Sequence, residues 1–224
     1  VTPPWNFPLA IPAGGVFAAL AAGNAVIMKP APETPRIAEA LCRVCWQAGV
    51  PKGLLQFVPC ANEPVGTHLV SHPGVDAVVL TGSTATARRF LEMRPGLNLI
   101  AETGGKNAMI VTEMADHDLA VKHALHSAFG HAGQKCSATS LLVVEAALYD
   151  DSAFMQRLAD ATRSLPVGPA TDPSAKVTPL IREPRGDLAW ALGRTGEGLE
   201  PGESWLVEPR CVDGDPRLWS PGVK

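Results

Sequence analysis

Apolar residues along the first two thirds of the chain follow two alternating rhythms. Short apolar runs at 25–28, 54–58, 76–80, 97–101, 108–111 and 138–144 have the length and β-branched content of buried strands. Between them, apolar positions recur three and four apart, which predicts helices over 35–48, 64–71, 86–93 and 119–130, with a further one over 152–164. Thr34 stands where a cap belongs, Pro35 at a first helical position and Gly49 where a left-handed stop is wanted. Strands alternating with helices in this way imply a parallel sheet with crossover helices, an α/β fold. The rhythm ends near residue 165. Pro and Gly fill 17 of the last 59 positions against 25 of the first 165, so the tail reads as loop-rich.

Residues 1–28 carry no charge, which raises the question of a membrane span. Pro4, Pro8, Pro12, Gly14, Gly15, Gly23 and Asn24 interrupt the stretch, and the expectation is a loop, a short helix over 15–22 and then a strand, with no membrane span. With 46% hydrophobic and 18% charged residues the chain has material for a real core, and disorder over most of its length is excluded. A formal charge of -3 offers no basic footprint for nucleic acid. Five cysteines without framework spacing point to a reduced, cytoplasmic protein. The chain opens at a valine inside an apolar stretch and stops without a closing element, so a segment of a longer protein is expected.

Four segments carry groups with chemical use. In the strand ending Thr81-Gly-Ser-Thr84, Gly82 permits close backbone approach and Ser83 adds a hydroxyl at a helix N-terminus, a place for a phosphate as well as an ordinary cap. In Gly133-Gln-Lys-Cys136, a thiol follows a Gly turn among small and polar neighbours, and Lys135 beside it favours the thiolate. Cys42 and Cys45 form a Cys-x-x-Cys pair but stand inside an amphipathic helix with no second pair at zinc spacing, so no metal is expected there. Glu102 ends an apolar strand before Gly104 and Gly105, either as a strand leaving the core or as a general base. In Pro3-Pro-Trp-Asn-Phe-Pro8, rigid backbone fixes Asn6, whose amide is the kind of donor an oxyanion requires.

Taken together and in this order, Pro4-Trp-Asn-Phe-Pro8, Lys29-Pro-Ala-Pro-Glu-Thr-Pro35, Thr81-Gly-Ser-Thr84, Glu102-Thr-Gly-Gly-Lys106 and Gly133-Gln-Lys-Cys136 resemble the motifs of the NAD(P)-dependent aldehyde dehydrogenase superfamily. The resemblance covers residues 1–150. It implies a Rossmann-type cofactor domain, of which residues 1–105 are part, followed by part of a catalytic domain over 106–224. By the same resemblance Cys136 is the nucleophile, Glu102 the base that activates the hydrolytic water, and Asn6 with the Cys136 N–H the oxyanion site. It places Pro4 and Trp5 beside the cofactor phosphates, Lys29 on the adenosine ribose, Gly66, Gly82 and Ser83 near the pyrophosphate, and Thr103 near the nicotinamide.

Within the superfamily, the stretches around Glu102 and Cys136 look most like L-glutamate γ-semialdehyde dehydrogenases, including the dehydrogenase half of bifunctional proline-utilisation proteins. Val177-Thr-Pro-Leu-Ile181 and Leu218-Trp-Ser-Pro-Gly-Val223 fit that subgroup too. There Ser137 would hold the substrate carboxylate and Phe7 would line the aldehyde channel. The implied cofactor is NAD, since no arginine stands beside Lys29 to hold a 2′-phosphate. NADP is the alternative, because Pro32 occupies the place where many relatives carry a ribose-binding Glu. A small aldehyde is the implied substrate and a homo-oligomer the implied parent. Competing readings are a CoA-acylating enzyme, against which Glu102 argues, and a non-catalytic scaffold, against which Cys136, Glu102 and Asn6 together argue. Lacking the rest of the family's cofactor and oligomerisation segments, the isolated chain is expected to be poorly soluble and inactive.

Overall fold

In the computed structural model, which describes residues 1–194 and 199–224, the first helix (α1) runs Ala10–Ala21 and so begins well before the expected residue 15. Pro12 does not break it, because it falls in the first turn, where a backbone N–H has no intrahelical acceptor to lose. Gly15 serves contact: a Cβ there would stand 3.1 Å from Val1 Cγ1, so the bare Cα lets the helix lie close against the first residue of the chain.

The chain divides into two compact units, Val1–Gly104 and Gly105–Lys224. In the first, β1 (Val26–Met28) leads through α2 (Pro35–Gln47) to a parallel partner β2 (Leu55–Phe57), with Val26 opposite Leu55. Helix α2 turns Ala38, Leu41, Cys42 and Cys45 inward, the three-and-four spacing of one buried stripe. They pack with Val16, Val26, Met28 and Leu55. Pro35 opens the helix, and Gly49 at φ +100° follows its end, as the sequence implies. Thr34 occupies the cap position, yet its side chain makes no capping hydrogen bond. After a π-type turn at Asn62–Gly66 and the short α3 (Thr67–Ser71), the six-residue strand β3 (Ala77–Gly82) leads through α4 (Thr84–Met93) to β4 (Asn98–Thr103). Strands β3 and β4 pair in parallel from Ala77 opposite Asn98 to Gly82 opposite Thr103, over a core of Val70, Val78, Leu80, Ala87 and Leu97.

Residues 1–2 join these two ladders. Val1 N–H donates to the Ile27 carbonyl at 2.8 Å and the Val1 carbonyl accepts from Lys29 N–H at 3.0 Å. On the other side Thr2 N–H donates to Val79 O at 2.8 Å, and Thr2 O accepts from Thr81 N–H at 3.2 Å. The hydrogen-bonded order is therefore β2, β1, residues 1–2, β3, β4, parallel throughout. From Thr2 the chain crosses to one side, through α1 to β1, and later returns on the other side as β3. That reversal is a topological switch point, and in parallel sheets of this kind ligands bind outside the carboxyl ends of the strands that flank it, here residues 1–2 and β3.

The second unit repeats the parallel crossover. β5 (Asn107–Val111) leads through α5 (His117–Phe129), a turn at Gly130–Gly133 and an exposed loop to β6 (Thr139–Val144). A register shift separates the Asn107–Thr139 pair from Ala108–Leu141. Asp116 caps α5 by accepting from Leu119 N–H at 3.0 Å. After the one-turn α6 (Ala146–Tyr149), α7 (Ser152–Arg163) follows, and Val111, Val121, Leu125, Leu148, Phe154 and Leu158 form the core. The opposite sheet face leaves Ile110, Leu141 and Val143 exposed, Ile110 to 73%. The tail is as loop-rich as its composition implies, with one helix the sequence did not announce, α8 (Gly186–Leu192), and two antiparallel bridges, Val207–Val223 and Cys211–Trp219. Among the described residues no helix is long and apolar enough to cross a membrane.

Candidate active site

Nine of the residues singled out in the first unit lie at the carboxyl edge around the switch point. The Pro4-Trp5-Asn6-Phe7 run leaves the sheet from the carboxyl end of Thr2, and Lys29 follows the last residue of β1. Gly82 ends β3, Ser83 caps α4, and Glu102 and Thr103 end β4 opposite Thr81 and Gly82. Ser83 Oγ accepts from Thr86 N–H at 3.1 Å, so its side chain serves as a helix cap. Glu102 is exposed, and its carboxylate meets no hydrogen-bond or ion-pair partner among the described residues, leaving both oxygens open to water. Asn6 and Phe7 are half-buried.

Lys29 is the unusual group. Only 9% exposed, it donates from Nζ to Asn62 Oδ1 at 2.9 Å, and no carboxylate lies within 4 Å of it among the described residues. A buried ammonium normally keeps a counter-ion or several oxygen acceptors. Here two of its three N–H donors remain for a ligand oxygen. Gly66 lies close against this side chain: a Cβ there would stand 3.0 Å from the Ala61 carbonyl and 3.1 Å from Lys29 Cε. A parallel sheet with a switch point, a glycine that lets the chain lie close to Lys29 and a buried cation with one side-chain acceptor fit a nucleotide-bearing cofactor with ribose hydroxyls and phosphates. Asn62 was not found from the sequence, since a loop amide 33 residues from Lys29 carries no local signal.

Cys136 and Ser137 lie on one exposed loop of the second unit. The approach to that loop is bent sharply: His131 at φ 54°, Ala132 at φ 53° and Gly133 at φ 71° are consecutive left-handed residues. For the two that are not glycine this costs about 1 kcal/mol or more each. Glycine suits the third place, where a Cβ would meet the Ala128 carbonyl at 3.2 Å. Gln134 ties the turn to the tail by accepting from Ile181 N–H at 2.9 Å. Asn107 Nδ2 donates to the carbonyls of Cys136, at 2.8 Å, and of Ala138, at 3.1 Å. Neither tie was read from the sequence. Cys42 and Cys45 instead face the core, and burial pushes the Cys42 thiol up to about 11, with the Cys45 charge adding to it. Burial raises Cys45 as well. No group of three His, Cys, Asp or Glu side chains placed to hold a metal occurs among the described residues.

Comparison with known proteins puts these features in company. The profile described as "Aldehyde dehydrogenase family" matches residues 1–194. A 1-pyrroline-5-carboxylate dehydrogenase of Staphylococcus aureus (strain JH1) is 37% identical over 229 aligned positions, which take in 95% of this chain and 44% of that protein. The chain therefore spans less than half the length of this curated relative. The structure of Proline Utilization A from Corynebacterium freiburgense is similar over 99% of this chain and 22% of its own, with 48% identity and a TM-score of 0.89. A betaine aldehyde dehydrogenase from Staphylococcus aureus, solved in complex with NAD+, is similar over 81% of this chain and 36% of its own, at 33% identity and a TM-score of 0.77.

Proposed function

The chain belongs to the aldehyde dehydrogenase family, and from that premise we propose that it carries the cofactor edge and the reactive cysteine of an NAD(P)-dependent enzyme that oxidises L-glutamate γ-semialdehyde to L-glutamate in proline catabolism. The observation that carries the reading is the switch point: nine of the residues named from the motifs, Pro4, Trp5, Asn6, Phe7, Lys29, Gly82, Ser83, Glu102 and Thr103, leave the same carboxyl edge of one parallel sheet. Residues 1–105 then form part of the cofactor domain and 106–224 part of the thiol domain. The names of the relatives support the substrate, and five free cysteines support a reducing, cytoplasmic setting.

When bound, the dinucleotide supplies the hydride acceptor. Lys29 holds its adenosine ribose, Pro4, Trp5, Gly66, Gly82 and Ser83 its phosphates, and Thr103 its nicotinamide end. NAD is the favoured form and NADP the alternative, since Pro32 offers no carboxylate against a 2′-phosphate. The Cys136 thiolate attacks the aldehyde carbon, and the oxyanion that forms is met by the Asn6 amide and the Cys136 N–H. With the hydride on that carbon given up to the oxidised dinucleotide that would be bound there, the carbon held by Sγ becomes a thioester carbonyl. Glu102 then takes a proton from water, the water oxygen adds to the thioester carbon, and Sγ departs as thiolate with the acid released. Ser137 contacts the substrate carboxylate and Phe7 lines its approach.

The test is NADH formation by the polypeptide that carries this chain, with glutamate γ-semialdehyde beside a panel of simple aliphatic aldehydes. Preference for the semialdehyde in kcat/KM is expected. In Glu102→Gln the steady-state rate falls about 10²- to 10⁴-fold while the first turnover of NADH persists, because only thioester hydrolysis loses its base. Preference for aliphatic aldehydes overturns the substrate, and an unchanged Glu102→Gln rate overturns the hydrolytic role.

A further inference from the structure

A bend of three left-handed residues relaxes unless something outside it holds the chain. Directly after the bend Gln134 accepts from Ile181 N–H at 2.9 Å and donates to the His131 carbonyl at 3.2 Å, and further on Ala138 N–H donates to the Lys135 carbonyl at 3.0 Å, while Cys136 and Ser137 are exposed. The stretch that carries Cys136 is clamped from β5. One carboxamide, Asn107 Nδ2, reaches the carbonyls of Cys136 and Ala138, the two residues that flank Ser137. Both partners are carbonyl oxygens, so the NH₂ end of the amide must face them, and its two hydrogens match the two acceptors.

The register explains why a side chain is needed. Asn107 pairs with Thr139, but the ladder shifts immediately afterwards, so that Ala108 stands opposite Leu141. The irregularity leaves Ser140 unmatched, and residues 136–138 precede the first pair, so the backbone ladder of β5 and β6 does not reach them. Asn107 fills that gap from the first position of β5, while its own carbonyl accepts from Ser140 Oγ at 3.4 Å.

We propose that Asn107 is the positioning residue of the reactive cysteine: its amide holds the peptide groups on both sides of Ser137, and through them sets one orientation of the Cys136 thiolate and N–H. The proposal rests on the reading of Cys136 as nucleophile. Asn107 touches neither aldehyde nor cofactor in this role and acts through the loop alone.

The test compares wild type with Asn107→Ala, Asn107→Asp and Asn107→Ser in the polypeptide that carries this chain. Asn107→Asp keeps the shape but replaces two donors with acceptors, and Asn107→Ser keeps one donor on a shorter arm. With the clamp gone, kcat is expected to fall about 10- to 100-fold, by the cost of a misplaced reacting group, while KM for the dinucleotide moves less than about twofold. Alkylation of Cys136 by iodoacetamide, which needs neither aldehyde nor cofactor, is expected to slow about fivefold in Asn107→Ala and further in Asn107→Asp, with partial recovery in Asn107→Ser. If one variant unfolds on heating, the other two still read the effect. Wild-type kcat and alkylation rate in the folded variants, with Cys136→Ala inactive, overturn the proposal alone. Turnover that survives in Cys136→Ala overturns the nucleophile reading and the proposal with it.

Discussion

Two cysteine-bearing segments of this chain obey opposite physics. On α2, Cys42 and Cys45 belong to the inward stripe, 0% and 5% exposed, among Leu41, Val26 and Leu55. Burial disfavours the charged form there, which holds Cys42 near 11 and raises Cys45 as well. Cys136 stands instead on an exposed loop after a bend that costs backbone energy, held by a side-chain amide from β5. The first arrangement uses sulfur as a small apolar filler, and the second spends local stability to present it. A Cys-x-x-Cys spacing is thus less informative here than a lone cysteine, because the backbone that carries a thiol decides whether it can react.

Removing each thiol gives the largest contrast. Cys136→Ala is expected to lower kcat for NADH formation at least about 10³-fold, as loss of a covalent nucleophile does, while Cys42→Ala leaves kcat within about twofold. Similar losses in both would break the comparison. Alkylation sharpens it without any assumption about the reaction. At neutral pH, peptide mapping after brief iodoacetamide treatment should find Cys136 labelled at least about tenfold faster than Cys42 or Cys45, since only accessible thiolate reacts. Faster labelling on α2 would mean that the helix opens readily.

The smallest effect lies in alkali. The folded Cys42 thiol keeps its proton up to about 11, against its ordinary value of 9.0, so between those values the unfolded chain releases a proton that the folded chain retains. Unfolded chains then bind fewer protons, and stability falls as pH rises through that window, by at most about 3 kcal/mol for a shift of this size, with no contribution below 9. A urea midpoint that drops over this range in wild type but less in Cys42→Ala is expected, and equal drops would place the effect elsewhere.

Strands, crossover helices and the ends of α2 were legible because each is written in neighbouring residues: apolar runs, three-and-four spacing, Pro35 and Gly49. Local signs also misled. Pro12 suggested a break and became part of a first turn, and Thr34 reached the cap position without capping. The pairing of Thr2 with Leu80 lay beyond any local pattern, although it creates the switch point around which the candidate residues gather.

By itself, then, the sequence determined the α/β class and the family, and it named Cys136, Glu102, Asn6 and Lys29 as candidates for chemistry. Tertiary structure alone decided the ties across the chain: Asn62 on Lys29, 33 residues away, Asn107 on the Cys136 carbonyl, 29 residues away, and Gln134 on Ile181, 47 residues away. Periodicity and capping are properties of neighbours, whereas a side-chain hydrogen bond across such separations exists only after strands have paired and helices have packed.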